Sequence, residues 1–334
     1  MKIGTIGYSS TSGLGIMLKF FRKHLAIDSQ LVISWTAKKT NLQDLECKYV
    51  MTAKEKPSMD ALEKFMKFEP DVVLIIEYPF CWDYLKRLKE KGIKIVYIPM
   101  LDSIGLNVLE KYKDFVDLWL CITKWSYELI KVKGWKCCYL PYPVDTDYFK
   151  FKKKRKGINF LHNAGYCGIV SRKGTDLVLK AFWELRNHGC NTSLIVNSQL
   201  PLGRLNFTEG VDIRVRDVEE LYDLYKEGDI YLAPSRKEGL GLPIYEAMSC
   251  GFPVITTNAP PMNEVISDER LLVKTKNNEP DLDDLISKMV FVVNTYLGNI
   301  SRQNRKIIEE KFSWNVLKSK YLKVFQEVVD GGEF

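Results

Sequence analysis

The chain has little of what a membrane protein, a disulfide scaffold or a metalloenzyme requires. No window among its 334 residues approaches the ~20 uninterrupted apolar residues of a membrane span, and charged residues, at 27%, are at an ordinary level for a soluble protein. The N-terminus, Met1-Lys-Ile-Gly-Thr-Ile-Gly-Tyr8, turns polar too soon for a secretory apolar segment. Eight cysteines form no C-x-x-C pair, and the vicinal Cys137 and Cys138 cannot bridge without strain. They are read as reduced thiols of a cytoplasmic protein. Three histidines, His24, His162 and His188, offer no spacing that fits a metal cage. There is no low-complexity segment and no repeat at a fixed period. The net charge of +7 is partly concentrated in the run Lys150-Phe-Lys-Lys-Lys-Arg-Lys156, which lacks the interleaved aromatics of a base-stacking surface. It reads as a solvated linker, and no nucleic-acid partner is expected.

What is present is length and alternation. The chain is about twice an ordinary domain, and 46% hydrophobic residues suffice for more than one core. Short apolar runs at Ile3–Ile6, Leu31–Trp35, Val72–Ile76, Ile93–Ile98, Leu118–Ile122 and Cys138–Leu140 are separated by stretches of helical period such as Met59–Phe68 and Asp83–Lys91. That alternation predicts a parallel sheet flanked by helices. A second series follows: Ile158–Ala164, a helix over Gly174–Asn187, Ser193–Asn197, Val211–Val215, Leu221–Lys226, Ile230–Ala233, Ile244–Ser249 and Val254–Thr257. The fold expected is therefore α/β, with two Rossmann-like doubly wound domains facing across a cleft, the default ligand site of such proteins. Prolines at Pro141 and Pro143 mark the join. The expected division is residues 1–148, residues 149–314, and a last helix over 315–334 crossing back to the first domain, with Ser313 as its N-cap.

Two glycine-bearing turns bear on chemistry. The first, Tyr8-Ser-Ser-Thr-Ser-Gly-Leu-Gly15, precedes a helix predicted to begin near Ile16, and Gly13 and Gly15 would let backbone N–H groups approach an anion. It is not G-x-G-x-x-G, and a plain tight turn is an equal reading. The second is Glu238-Gly-Leu-Gly-Leu-Pro-Ile-Tyr-Glu246, which follows the strand Ile230–Ala233. Gly239 and Gly241 loosen the loop, Pro243 suits a first helical position, and Gly251 closes the helix. This sets free N–H groups beside two carboxylates, one before the helix and one within it. A cap and a solvated helix residue would account for the glycines. They would not account for a glutamate among Leu242, Ile244, Ala247 and Met248. A nucleotide sugar has a diphosphate that wants N–H donors and hydroxyls that donate to carboxylates.

The run from Ser235 to Gly251, continued by Phe252-Pro-Val-Ile-Thr256, resembles the signature of glycosyltransferase family 4, retaining enzymes of the GT-B fold. Its E-x7-E spacing is met by Glu238 and Glu246. The resemblance continues through Arg172-Lys-Gly-Thr-Asp176, Leu221–Tyr225 and Phe312-Ser-Trp314, covering about residues 141–325; the first half matches in architecture only. It implies a metal-independent hexosyltransferase with a UDP or GDP sugar as donor. The acceptor hydroxyl would belong to a glycan, lipid or protein. By residue, it implies Lys173 for the donor diphosphate with Arg172 beside it, Glu238 for the sugar, Glu246 for the ribose and Leu242 for the nucleoside. Asp217 falls where the base edge is read, and the N–H groups of Gly239, Leu240 and Gly241 are aimed at the leaving phosphate. Lys173 also stands on its own ground, because a cation at a helix start needs a compensating anion.

Three departures qualify the match. Cys167 stands where the family places an arginine before the lysine. Asp102 is the ionisable residue at the strand end where relatives carry a histidine. Ala259-Pro-Pro-Met-Asn-Glu264 replaces the family's paired glycines. The sequence Asp145-Thr-Asp147 mimics a metal-binding D-x-D but falls in the interdomain linker. The alternatives are a non-catalytic subunit that binds a nucleotide sugar or a partner, and a nucleotide-sugar epimerase of the same fold. Lys19, Arg22, Lys23 and His24 make the first helix basic, which leaves peripheral membrane contact open.

Overall fold

The computed structural model describes residues 1–8, 13–34, 49–52, 58–78, 81–152, 158–167, 172–295 and 297–334. Ser9, Ser10, Thr11 and Ser12 of the first turn, Trp35 at the end of an expected strand, Cys47, and the core of the basic run from Lys153 to Lys156 lie outside them. The chain forms two compact units, Met1–Pro143 with Trp314–Phe334, and Val144–Ser313.

Unit 1 contains β1 (Ile3–Tyr8), α1 (Gly13–Leu25), β2 (Ser29–Ser34), β3 (Tyr49–Thr52), α2 (Met59–Met66), β4 (Val72–Ile76), α3 (Asp83–Glu90), β5 (Lys94–Ile98), α4 (Leu106–Leu109), β6 (Leu118–Cys121), α5 (Lys124–Val132) and β7 (Cys137–Tyr139). They build one parallel sheet in the order β3-β2-β1-β4-β5-β6-β7. Each residue of β4 is buried, as expected for a central strand with helices on both faces. Local signals set the helix starts: Ser58 caps α2 and Thr123 caps α5, each side chain accepting a backbone N–H three residues on.

Unit 2 contains β8 (Asn159–Gly165), α6 (Thr175–Asn187), β9 (Ser193–Ser198), β10 (Val211–Val215), β11 (Ile230–Ala233), α7 (Leu242–Ser249), β12 (Val254–Thr257), β13 (Leu272–Val273), the hairpin strands β14 (Thr275–Lys276) and β15 (Glu279–Pro280), α8 (Leu282–Val293) and α9 (Gly298–Ile307). Its sheet has the order β10-β9-β8-β11-β12-β13, with parallel pairing throughout. The chain enters and leaves this unit at one point: the Val144 N–H donates to Phe312 O at 2.6 Å, and Val144 pairs with Ser313.

The last helix, α10 (Trp314–Val329), returns to unit 1. Trp314 stacks on His24 at 4.6 Å and meets the Phe21 ring edge-on at 5.4 Å, while the Tyr321 hydroxyl donates to Pro141 O at 3.1 Å. The basic helix α1 is thus partly occupied, through His24, in holding the C-terminal helix.

Four expectations need correction. The first helix begins at Gly13 and not near Ile16, so both glycines are helical. Tyr49–Thr52 is an added edge strand, too short and too polar-flanked to read as an apolar run. Leu221–Tyr225 is a single 3-10 turn where a regular element was expected. Ser313 does stand at the N-cap position of α10, in extended backbone, but its hydroxyl donates backward to Glu309 O at 2.8 Å.

Candidate functional site

In unit 2 the sheet order reverses between β8 and β11, so the chain leaves these neighbouring strands in opposite directions and opens a crevice at their carboxyl ends. Two chain segments form its walls. The first is the turn Arg172-Lys173-Gly174 into α6. Gly174 has φ 71°, and a Cβ placed there would lie 2.2 Å from Pro234 O, so only glycine lets this turn approach the exit of β11. The second wall is the loop Pro234–Gly241. Arg236 N–H donates to Arg172 O at 2.7 Å, and its guanidinium grips both Asp176 oxygens at 2.8 Å and Glu279, on the β14–β15 hairpin, at 2.5 Å. Such a planar fork resists rotation in a way one lysine contact does not.

Because the walls are pinned together, Lys173 and Glu238 meet. Lys173 Nζ donates to Glu238 Oε1 at 2.7 Å, and Ser235 Oγ donates to the same oxygen at 2.8 Å. Glu238 is 5% exposed. The pair borders a small cavity lined also by Ser235, Gly241, His162 and Asn163. Gly241, at φ 83°, is the N-cap of α7, with Leu242 and Pro243 its first two residues. Gly239 and Leu240 are buried in the loop that leads into it. The helix start therefore presents N–H groups beside a cation and a carboxylate, an arrangement suited to a ligand bearing both anionic and hydroxyl groups.

Glu246 lies outside the set that lines this cavity and is 6% exposed. Tyr225, from the 3-10 turn, donates its hydroxyl to Glu246 Oε2 at 2.6 Å. Burial pushes the Glu246 carboxyl up to about 7, opposed by the Tyr225 hydrogen bond and by Lys173. Folding thus favours the protonated form; this stabilisation is complete below pH 4.5 and is lost as pH rises through about 7. His162 titrates the other way: burial holds it down to about 4, so stability is lost as pH falls from 6.5 to about 4. Glu246→Gln keeps an acceptor for Tyr225 and removes one of these titrations. Its stability relative to the parent should be roughly 3 kcal/mol more favourable at about pH 8 than at about pH 4. Unfolding curves of both proteins at both pH values measure this, and equal offsets would refute it.

The other residues singled out in the sequence are dispersed. Arg172 is an exposed residue beside the cavity, tied in through its carbonyl. Leu242 is buried at the start of α7. Asp217 is exposed beyond the edge strand β10 and accepts from Gln199 Nε2 at 2.7 Å. Gly13 and Gly15 form the first turn of α1 in unit 1, and Asp102 is half-buried in the turn after β5, also in unit 1. Sequence reasoning missed Arg236, Asp176, Tyr225 and His162. A polar signal existed for His162 alone, as a histidine in an otherwise buried strand run.

Residues 162–292, which contain the crevice, match the family described as Glycosyl transferases group 1. An O-antigen biosynthesis glycosyltransferase of Escherichia coli is 26% identical over 200 residues, 55% of this chain and 53% of that protein. The chain spans about half the length of the curated relatives it matches. Among solved structures, a glycosyltransferase from Rickettsia africae superposes with a TM-score of 0.74 at 16% identity, covering 99% of both chains. An Anabaena protein solved with UDP and glucose superposes with a TM-score of 0.73 at 14% identity, over 98% of this chain and 99% of that one. These likenesses establish a shared fold.

Proposed function

We propose that the chain moves a hexose from a nucleotide-diphosphate sugar to a hydroxyl acceptor, retaining the anomeric configuration and requiring no metal, a reading supported by the match of residues 162–292 to the Glycosyl transferases group 1 family and by the fold shared with a solved glycosyltransferase. The observation that carries this reading is the Lys173–Glu238 pair, held at 2.7 Å in the cavity beside the start of α7. In this reading the donor diphosphate takes the place opposite Lys173, and Glu238 is released to accept from sugar hydroxyls.

As the bond between the anomeric carbon and the phosphate oxygen breaks, its electron pair passes to the leaving diphosphate. Lys173, Arg172 and the N–H groups of Gly239, Leu240 and Gly241 face that growing charge and take the part a metal would play. The acceptor hydroxyl attacks on the face the phosphate leaves, and its proton passes to the departing phosphate oxygen. The acceptor is a hydroxyl of a glycan, lipid or protein. Glu246 and Asp217 are assigned to the nucleoside, with Glu246 reached only after its Tyr225 bond opens, and Asp102 to the acceptor side.

The Anabaena relative in fold was solved with UDP and glucose, which makes UDP-glucose the first donor to try. Full-length protein titrated with UDP, GDP and ADP sugars should show one nucleotide that raises the unfolding midpoint, followed by release of that nucleotide when an acceptor pool is added without metal. Nucleotide-dependent stabilisation with no turnover on any acceptor would favour a binding subunit. A free C-epimer of the sugar would favour an epimerase.

A further inference from the structure

The crevice between β8 and β11 has a strut across its floor. The last ladder pair joining these strands is Tyr231 with Leu161. One residue on, the His162 side chain takes over: Nδ1 lies 2.8 Å from Leu232 O, and Nε2 lies 2.9 Å from Thr175 Oγ1. A carbonyl oxygen can only accept, so Nδ1 carries the proton. Nε2 of the neutral ring is then an acceptor, and the Thr175 hydroxyl must donate to it. The ring is 1% exposed, and burial keeps it uncharged against the influence of Asp176 and Glu238. Both ring nitrogens are therefore satisfied in only one tautomer and one orientation.

What this strut connects matters more than its own stability. Leu232 is one residue from the end of β11, whose exit loop carries Ser235 and Glu238. Thr175 is the first residue of α6, directly after Gly174 and two after Lys173. The imidazole thus spans the two segments whose side chains make the 2.7 Å ion pair. An apolar residue at position 162 would fill the space yet leave Leu232 O and Thr175 Oγ1 without these partners.

We propose that His162, acting through Thr175, is a positioning residue that sets the separation between Lys173 and Glu238 and so the register of the donor's diphosphate and sugar. This rests on the donor-site reading above. His162 takes no proton from the substrate and forms no bond to it; it fixes the start of α6 relative to the exit of β11. A displacement of Lys173 by a fraction of the hydrogen-bond length should weaken phosphate contact in the ground state and in the transition state together.

Thr175→Val keeps the side-chain shape and removes the donated proton, while Thr175→Ser restores it. With whichever nucleotide sugar stabilises the full-length parent as probe, Thr175→Val should raise Kd and KM by roughly tenfold or more, and Thr175→Ser should stay within about twofold of the parent. A purely structural role would lower the unfolding midpoint of Thr175→Val without moving Kd in the folded protein, and that outcome overturns the proposal. Should Thr175→Val fail to fold, the double variant His162→Leu/Thr175→Val removes both side-chain partners together and leaves only the Leu232 carbonyl without its histidine donor. It should fold and still bind the donor roughly tenfold or more weakly, and parental affinity there would equally refute the strut. Lys173→Met and Glu238→Ala separate the two levels of inference. If these also bind the nucleotide sugar normally, the donor-site reading fails and the strut with it. If they lose binding while Thr175→Val does not, only the strut fails.

Discussion

Glu238→Ala is expected to lower sugar transfer by roughly a hundredfold to a thousandfold at saturating acceptor, the scale of losing one preorganised electrostatic contact. Glu238 is buried against Lys173 and Ser235, so the change does two things. It removes the carboxylate assigned to the sugar hydroxyls, and it takes the Glu238 charge away from a lysine whose side chain is 15% exposed. Breaking one half of such a pair costs about 3 to 5 kcal/mol when the remaining charge is fully buried, and less here because Lys173 borders the cavity. The variant should therefore fold with a lowered midpoint. Glu238→Gln keeps the volume and an acceptor for both neighbours and should recover the midpoint without recovering turnover. Rates within about threefold of the parent in folded Glu238→Ala would remove this glutamate from the chemistry.

Gly174→Ala should be the most damaging small substitution in unit 2. A Cβ there would stand 2.2 Å from Pro234 O and 3.1 Å from Pro234 C, and both are backbone atoms that rotamer changes cannot move aside. At φ 71° an L-residue also costs about 1 to 2 kcal/mol. Gly189→Ala isolates that conformational part, because Gly189 has φ 82° and nothing within 4 Å of the added atom. We expect Gly174→Ala to lose roughly 3 kcal/mol or more in total, and nucleotide-sugar binding with it, whereas Gly189→Ala loses about 1 to 2. Chemical denaturation of the two variants side by side measures the difference, and equal losses would show that Pro234 yields.

The sequence made the two parallel sheets legible because buried strands read as unbroken apolar runs, as at Val72–Ile76 and Ile230–Ala233. Glycine carried part of the site: Gly241 sits at positive φ in the loop the sequence singled out, whereas Gly174, read as the first residue of a helix, is its left-handed N-cap. What stayed hidden depended on pairings distant in the chain. Arg236 is an unremarkable basic residue until Asp176, 60 positions earlier, and Glu279, 43 later, close on it. The burial of Glu246 was readable from its apolar neighbours, but its partner Tyr225 was not, since one 3-10 turn has too few residues to show a period. Polar flanks and a length of four residues hid the edge strand at Tyr49–Thr52.

The return of α10 to unit 1 imposes an order on synthesis. Trp314 and Tyr321 pack on Phe21, with Leu317 and Phe325 buried along the same helix, yet they emerge from the ribosome only after every residue from Val144 to Ser313. Unit 2 is contiguous, with its two ends already joined by the Val144–Ser313 bridge, so it can finish while unit 1 still waits for its final helix. During translation the half that begins first is closed last, and its aromatic seam at Phe21 is covered only when the final helix has been made.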